Sequence, residues 1–168
     1  NLNKFKYNNK ILIFKQKMFY YKLNLIQPNF TWYGSKICKK KYLKSPQWLR
    51  NIKSKKYPLW RVDSFFSHKK YHNIDLIEEG GWHFTNIKSV EKIEHKMKSF
   101  LHHLEFEKSG LKKEDLKKMI YEKKIIYNHN IDQKGYKWSD KTTLENINND
   151  LLPSYIVKNM SKFKEWLD

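Results

Sequence analysis

The sequence predicts a mixed α/β fold in a single domain, and three observations support this. A chain of 168 residues is long enough for one domain with a hydrophobic core. Its apolar content of 39%, with 16% aromatic residues, is too high for a disordered chain. Strand-like patterns come first and helical spacing dominates later, an order of elements that favours a mixed α/β domain.

The strand predictions rest mainly on alternation of apolar and polar residues. Residues 11–14 are apolar and predict a buried strand or a short helix, because a run of this length does not decide between them. Residues 19–25 alternate with the period of two of a half-buried strand, which Pro28 is expected to end. The remaining predicted strands or extended segments are 30–38, interrupted at Gly34, then 59–66 and 74–77.

The helix predictions rest on start signals followed by helical spacing. Ser45-Pro46 combines an N-cap residue with proline at the first helical position, where its missing amide costs nothing. Ser89 is expected to cap a second helix, with apolar residues at helical spacing and glutamates in its first turns. Further helices are predicted over residues 112–124 and from Ser161 to Trp166.

Composition narrows the function classes. The formal net charge is +18, yet only Arg50 and Arg61 are arginines and the chain has no alanine, a profile typical of an AT-rich coding sequence. Base-specific readers favour arginine, so we expect a general attraction to phosphates, including a diphosphate, and no specific nucleic-acid partner. The single cysteine, Cys38, excludes an internal disulfide and a cysteine-based zinc site. No stretch approaches the ~20 apolar residues of a membrane span, which predicts a cytoplasmic or peripherally membrane-associated protein.

The most informative segment is Gly80-Gly81-Trp82-His83-Phe84-Thr85, followed by His102-His103 and Glu105. Paired glycines let the backbone turn tightly and approach a ligand, an indole stacks on a sugar face, and imidazoles and carboxylates move protons. The plainer interpretation is an ordinary turn beside a core tryptophan. We expect the indole, the imidazole and the carboxylate to line one saccharide cavity.

Five blocks in order carry a resemblance over roughly residues 15–107. The chain resembles glycosyltransferase family 17, the β-1,4-mannosyl-glycoprotein β-1,4-N-acetylglucosaminyltransferases. The blocks are residues 19–24 (Phe-Tyr-Tyr-Lys-Leu-Asn), 32–37 (Trp-Tyr-Gly-Ser-Lys-Ile), 46–50 (Pro-Gln-x-Leu-Arg), 80–84 (Gly-Gly-Trp-His-Phe), and 98–100 (Lys-Ser-Phe) followed by histidine and glutamate.

The resemblance implies an inverting transferase with part of a GT-A-like mixed sheet flanked by helices. It would move N-acetylglucosamine from UDP-GlcNAc to a sugar hydroxyl of a glycan with the help of Mn²⁺ or Mg²⁺. The family's Asp-x-Asp motif precedes the first block, but no Asp or Glu stands ahead of Phe19. We therefore expect residues 1–168 to be a C-terminal portion without the nucleotide-binding part, and the metal ligands in this chain are unknown. In the family run the first histidine is followed by x-Glu, whereas His102 and Glu105 are separated by two residues.

Roles follow from the chemistry of an inverting transfer, which needs a base for the acceptor hydroxyl. The candidate bases are Glu105, Glu79 and His83. The candidate substrate-binding residues are Gly80, Gly81, Trp82, His102, His103 and Trp32. The alternative function is a non-catalytic, lysine-rich protein that binds nucleic acid or an anionic polysaccharide and loses affinity steeply as salt rises.

Overall fold

The computed structural model describes residues 11–99, 103–128, 138 and 142–168. The mixed α/β class is confirmed, with two sheets and flanking helices. The described chain divides into two compact units, one formed by residues up to Lys17 with Thr31–Gly81, the other by Met18–Phe30 with Trp82–Asp168. The single domain stays a prediction. None of the described helices has the length and hydrophobicity that a bilayer crossing requires.

Strands and helices alternate irregularly along the described chain. The strands are β1 (Ile11–Phe14), β2 (Gln16–Tyr20), β3 (Leu25–Trp32), β4 (Lys36–Cys38), β5 (Ile74–Ile77), β6 (Trp82–Thr85) and β7 (Glu145–Asn146). The α-helices are α1 (Pro46–Asn51), α2 (Val90–Ser99), α3 (His103–Ser109), α4 (Lys113–Tyr121) and α5 (Ser154–Lys158). Short 3₁₀ helices cover Lys40–Tyr42, Val62–Ser64, Asn149–Leu151 and Met160–Trp166.

In the first unit, a three-stranded sheet has β1 at its centre. β4 pairs with β1 in the antiparallel sense and β5 pairs with it in the parallel sense, with Ile11 opposite Ile74. A strand between two neighbours is expected to be apolar on both faces, which explains the continuous apolar run of β1. Ile11, Ile13, Ile52 and Ile74 form the buried core of this sheet. The run that allowed a strand or a helix is therefore a strand.

The cap of α1 is confirmed, since the Ser45 side chain accepts a hydrogen bond of 3.0 Å from the Trp48 amide. The strand predicted over 74–77 is confirmed as β5. The extended segment predicted over 59–66 is wrong, because a 3₁₀ turn occupies Val62–Ser64. Its apolar residues lie on the surface, so their hydrophobicity did not report a buried strand.

In the second unit, a four-stranded sheet has the order β6-β2-β3-β7. β7 pairs with β3 in the antiparallel sense at Leu25 and Ile26 only. Phe19 packs with Leu152 and Ile156 in the buried cluster of this unit, and the C-terminal 3₁₀ helix covers the cluster through partly buried side chains.

The single strand predicted over 19–25 is wrong, because the chain turns between β2 and β3. Tyr21 has a φ of 60°, and its buried hydroxyl donates to the Lys124 carbonyl at 2.8 Å. Asn24 is also buried, and its side chain bonds the backbone of Asp168 through both its oxygen and its nitrogen. The apolar residues that alternate in the sequence are thus buried in part by this turn, and the alternation did not indicate one continuous strand.

The expected end at Pro28 is also wrong, because β3 continues to Trp32. β7 has ended before Pro28 is reached, so the missing proline amide breaks no hydrogen bond to β7. The helix predictions hold for α2 and α4, with Ile93 and Leu116 buried. The last predicted helix is a 3₁₀ helix that begins at Met160, ahead of the expected cap at Ser161.

Candidate functional site

The candidate site lies on β6 and the helix that follows it, within the second unit. Neighbouring residues of a strand point to opposite faces of the sheet, so Trp82 and Phe84 share one face and His83 lies on the other. The contacts agree with this division. Phe84 lies with its ring centroid 5.2 Å from that of Phe19 in the core, whereas His83 lies within electrostatic reach of Lys96 on α2.

Trp82 presents its indole at the surface. Its side chain is 40% exposed, and its Nε1 donates a hydrogen bond of 2.9 Å to the Leu151 carbonyl. This bond fixes the orientation of the ring while part of its surface stays accessible. The alternative of a fully buried core tryptophan is therefore excluded for Trp82.

A polar group that we call the β6–α2 cluster is formed by His83 on β6, Asn86 directly after this strand and Lys96 on α2. Asn86 directly follows β6, is buried, and has a φ of 54°. Asparagine tolerates this left-handed conformation better than most residues. Its Oδ1 accepts a hydrogen bond of 2.7 Å from Lys96 Nζ, which ties α2 to the end of β6.

The two basic groups of the cluster are half-buried, and both have lowered pKa values. Burial lowers the pKa of His83 below 6.5, and the positive charge of Lys96 lowers it further. Burial also lowers the pKa of Lys96, with a contribution from the charge of Lys88. Desolvation penalises each charged form, so the imidazole is mainly neutral at neutral pH. A bound anion would compensate the half-buried ammonium group.

The paired glycines are explained by packing inside the first unit. A Cβ on Gly80 would lie 2.7 Å from Phe14 Cβ and 3.0 Å from the backbone of Lys15, so the close approach is to β1. Gly81 has a φ of 109°, which other residues rarely adopt. Glu79 is exposed, with a φ of 49°, in the same turn. Packing at Gly80 and backbone conformation at Gly81 thus explain the two glycines without a nearby ligand.

Glu105 lies in the first turn of α3 and is exposed, whereas the neighbouring Phe106 is buried. His103 is the first residue of this helix and is half-buried. Two positions on a helix are separated by about 200°, so these two side chains leave the helix in different directions. His102 lies outside the described residues.

Trp32 ends β3 and belongs to the first unit. Its indole covers Gly34, where a Cβ would lie 2.2 Å from the indole nitrogen. Glycine at position 34 therefore makes room for this ring. Of the two tryptophans predicted to bind substrate, Trp32 belongs to the first unit and Trp82 to the second.

The expectation that one cavity contains the indole and the imidazole needs correction. The side chains of Trp82 and His83 lie on opposite faces of β6 because they are adjacent in a strand. Sequence analysis missed Asn86 and Lys96. Lys96 stands three residues after the buried Ile93, and this spacing along the apolar stripe was the available signal for a half-buried lysine.

The metal that the resemblance implies does not fit the residues present. Mg²⁺ and Mn²⁺ prefer carboxylate oxygens, and the described part of the chain contains no group of three His, Cys, Asp or Glu side chains able to hold an ion.

Comparison of the chain with protein-family models, with curated proteins and with solved structures gives no match. The resemblance to glycosyltransferase family 17 accordingly stays a prediction from the five sequence blocks.

Proposed function

We propose that this chain is the acceptor-side part of an inverting glycosyltransferase of the GT-A type. It would serve the transfer of N-acetylglucosamine from UDP-GlcNAc to a sugar hydroxyl of a glycan. The five family-like blocks suggest the reaction. The observation that carries the proposal is the β6–α2 cluster, where a neutral half-buried imidazole lies near a half-buried ammonium group.

His83 would act as the general base. In an inverting transfer the acceptor oxygen attacks the anomeric carbon, the bond from that carbon to the diphosphate breaks, and the hydroxyl proton passes to a base. A ring nitrogen of neutral His83 can accept this proton. Its lowered pKa keeps it unprotonated at neutral pH, the state that a base requires. Glu105 and Glu79 are both exposed.

Lys96 would stabilise the departing UDP. The diphosphate gains negative charge as its bond to the sugar breaks, and a cation in a poorly solvated site stabilises such charge more strongly than one in water. Lys96 Nζ donates a hydrogen bond to Asn86 Oδ1. Asn86 is neutral, so this contact does not cancel the positive charge of Lys96. Burial lowers the pKa of the neighbouring His83, and the charge of the same ammonium group lowers it further.

Trp82 would contact a sugar unit away from the reacting atoms. Its indole lies on the other face of β6 from His83, so both cannot flank the same hydroxyl. An exposed indole whose edge is fixed by Leu151 offers a rigid stacking surface for a more distant residue of the glycan.

The test measures transfer of labelled N-acetylglucosamine from UDP-GlcNAc to a mannosyl glycan by the full-length protein that contains this chain. We expect His83→Gln to lower the transfer rate at least about 100-fold, the usual contribution of a general base. The matched control is His95→Gln, because His95 is an exposed histidine on α2, the helix that carries Lys96. Equal rates for the two variants would remove His83 from the mechanism.

Binding is measured separately by ligand-observed NMR with UDP and with the glycan. We expect Lys96→Met to weaken UDP binding, whereas Lys92→Met, which changes an exposed lysine of α2, leaves it unchanged. Glycan binding is expected to vary little with salt, because stacking and neutral hydrogen bonds hold the sugar. Failure of both UDP and the glycan to bind would refute the proposal. Steep loss of glycan binding with salt would instead favour the lysine-rich binding protein.

A further inference from the structure

We propose that residues 57–72 of the first unit form a docking surface for an anionic lipid bilayer. In this surface a short aromatic loop, residues 59–66, enters the interface between headgroups and acyl chains, and the surrounding basic residues contact the headgroups. The inference is independent of the proposed transferase function, because it uses different residues in the other unit.

The aromatic loop exposes its apolar residues to an unusual degree. Trp60 is 79% exposed and Phe66 is 83% exposed. Large apolar side chains that cluster on a surface mark sites of interaction with proteins or membranes. The loop residues in this class are Leu59, Trp60, Val62, Phe65 and Phe66.

Polar contacts within the segment hold the loop in this shape. Asp63 accepts two hydrogen bonds from the Arg61 guanidinium, at 2.8 and 2.9 Å, and also pairs with Lys70. Ser64 is buried, donates to the Arg61 carbonyl and lies 2.5 Å from His72 Nε2. Polar groups of the segment are thus paired with one another, while its large apolar side chains are exposed.

The loop is anchored to the preceding segment through Tyr57. The Tyr57 carbonyl lies 2.9 Å from His72 Nδ1, and the charged groups of Arg61 and Lys70 each lie 5.7 Å from the centroid of the Tyr57 ring. A loop fixed before binding loses little conformational freedom on contact with a surface, which favours affinity.

Charge complementarity selects an anionic bilayer as the occupant. The surface itself contains three basic residues and one acidic residue, Asp63, and the segment directly before it adds Lys53, Lys55 and Lys56. Lys44 and Lys70 line a cavity of about 360 Å³ together with Phe65 and Phe66, so basic and aromatic residues of this unit adjoin one another. Tryptophan, phenylalanine and leucine beside lysine are typical of interfacial membrane segments, where anionic lipids attract the cations. A second copy of this chain would bring two surfaces of the same charge together.

The test measures partitioning of the full chain onto phosphatidylcholine vesicles with and without phosphatidylserine. We expect binding to the mixed vesicles and much weaker binding to pure phosphatidylcholine. The double variant Trp60→Ala/Phe66→Ala should have a partition coefficient about 100-fold lower, because each ring raises this coefficient about tenfold. The matched control is Tyr121→Ala, which removes a ring that is 88% exposed on α4.

Insertion is distinguished from adsorption by fluorescence quenching with brominated lipids. The fluorescence lost in Trp60→Phe relative to the wild-type chain is the fluorescence of Trp60 alone. We expect brominated lipids to quench this fluorescence. The proposal is overturned if the double variant binds mixed vesicles as well as the wild type does. It is also overturned if Trp60 is not quenched, or if the wild type self-associates through this surface and ignores vesicles.

Discussion

Replacing Gly80 by alanine tests whether this glycine is required by packing in the protein or by approach to a ligand. The added methyl group would lie 2.7 Å from Phe14 Cβ, about 1 Å inside an ordinary carbon–carbon contact. It would also lie 3.0 Å from the backbone nitrogen and oxygen of Lys15. The backbone cannot easily move away, because the Gly80 amide donates to the Lys15 carbonyl at 2.7 Å. Overpacking of this kind costs about 1–3 kcal/mol, and contact with backbone places Gly80→Ala at about 3 kcal/mol.

The assay is urea unfolding of the full chain without any ligand, followed by circular dichroism. The control is Gly110→Ala, where a Cβ meets no atom within 4 Å although φ is 70°. Backbone strain alone costs about 1 kcal/mol at such a position. If Gly80→Ala is no more destabilising than Gly110→Ala, the packing explanation is wrong and a ligand-related role for Gly80 regains support.

Three further stability predictions test local contacts, each by comparison with the wild-type chain in urea or pH titrations. Ser45→Ala removes the N-cap of α1 and should lower the free energy of unfolding by about 1 kcal/mol; no change would contradict the capping role. Asn24→Ala leaves backbone groups at the C-terminus without their buried partner and should cost about 1–3 kcal/mol, whereas a loss of a few tenths would contradict this. The pKa of Glu91 is lowered from 4.5 to about 2 by its own backbone amide at the start of α2, then by Lys113. A lowered carboxyl pKa stabilises the fold above 4.5, so the stability difference between wild type and Glu91→Gln should shrink as pH falls from 4.5 towards 2, and a constant difference would contradict the assignment.

The sequence predicted elements well where local signals and tertiary structure agree. The cap and proline at the start of α1 and the apolar spacing of α2 are local signals, and both helices form where expected. The apolar run of β1 was ambiguous, because its identity depends on two partner strands distant in the chain. Residues 59–66 were misassigned, since hydrophobicity alone does not distinguish a buried strand from exposed aromatic residues.

The candidate site was predicted in part. The segment around Trp82 and His83 was identified from residue types, but its strand conformation, which separates the two side chains, depends on pairing within the second sheet. Lys96 was missed because lysines are frequent in this chain and burial of one of them is a tertiary property. The roles of Glu105 and Glu79 stay predictions.

The central claim is that His83 is a neutral base whose state is set by burial and by Lys96. The most direct measurement is an NMR pH titration of the His83 imidazole in the wild-type chain and in Lys96→Met. We predict a pKa below 6.5 in the wild type, and a rise in the variant because a nearby positive charge has been removed. A wild-type pKa at or above 6.5, or no response to Lys96→Met, would contradict the account.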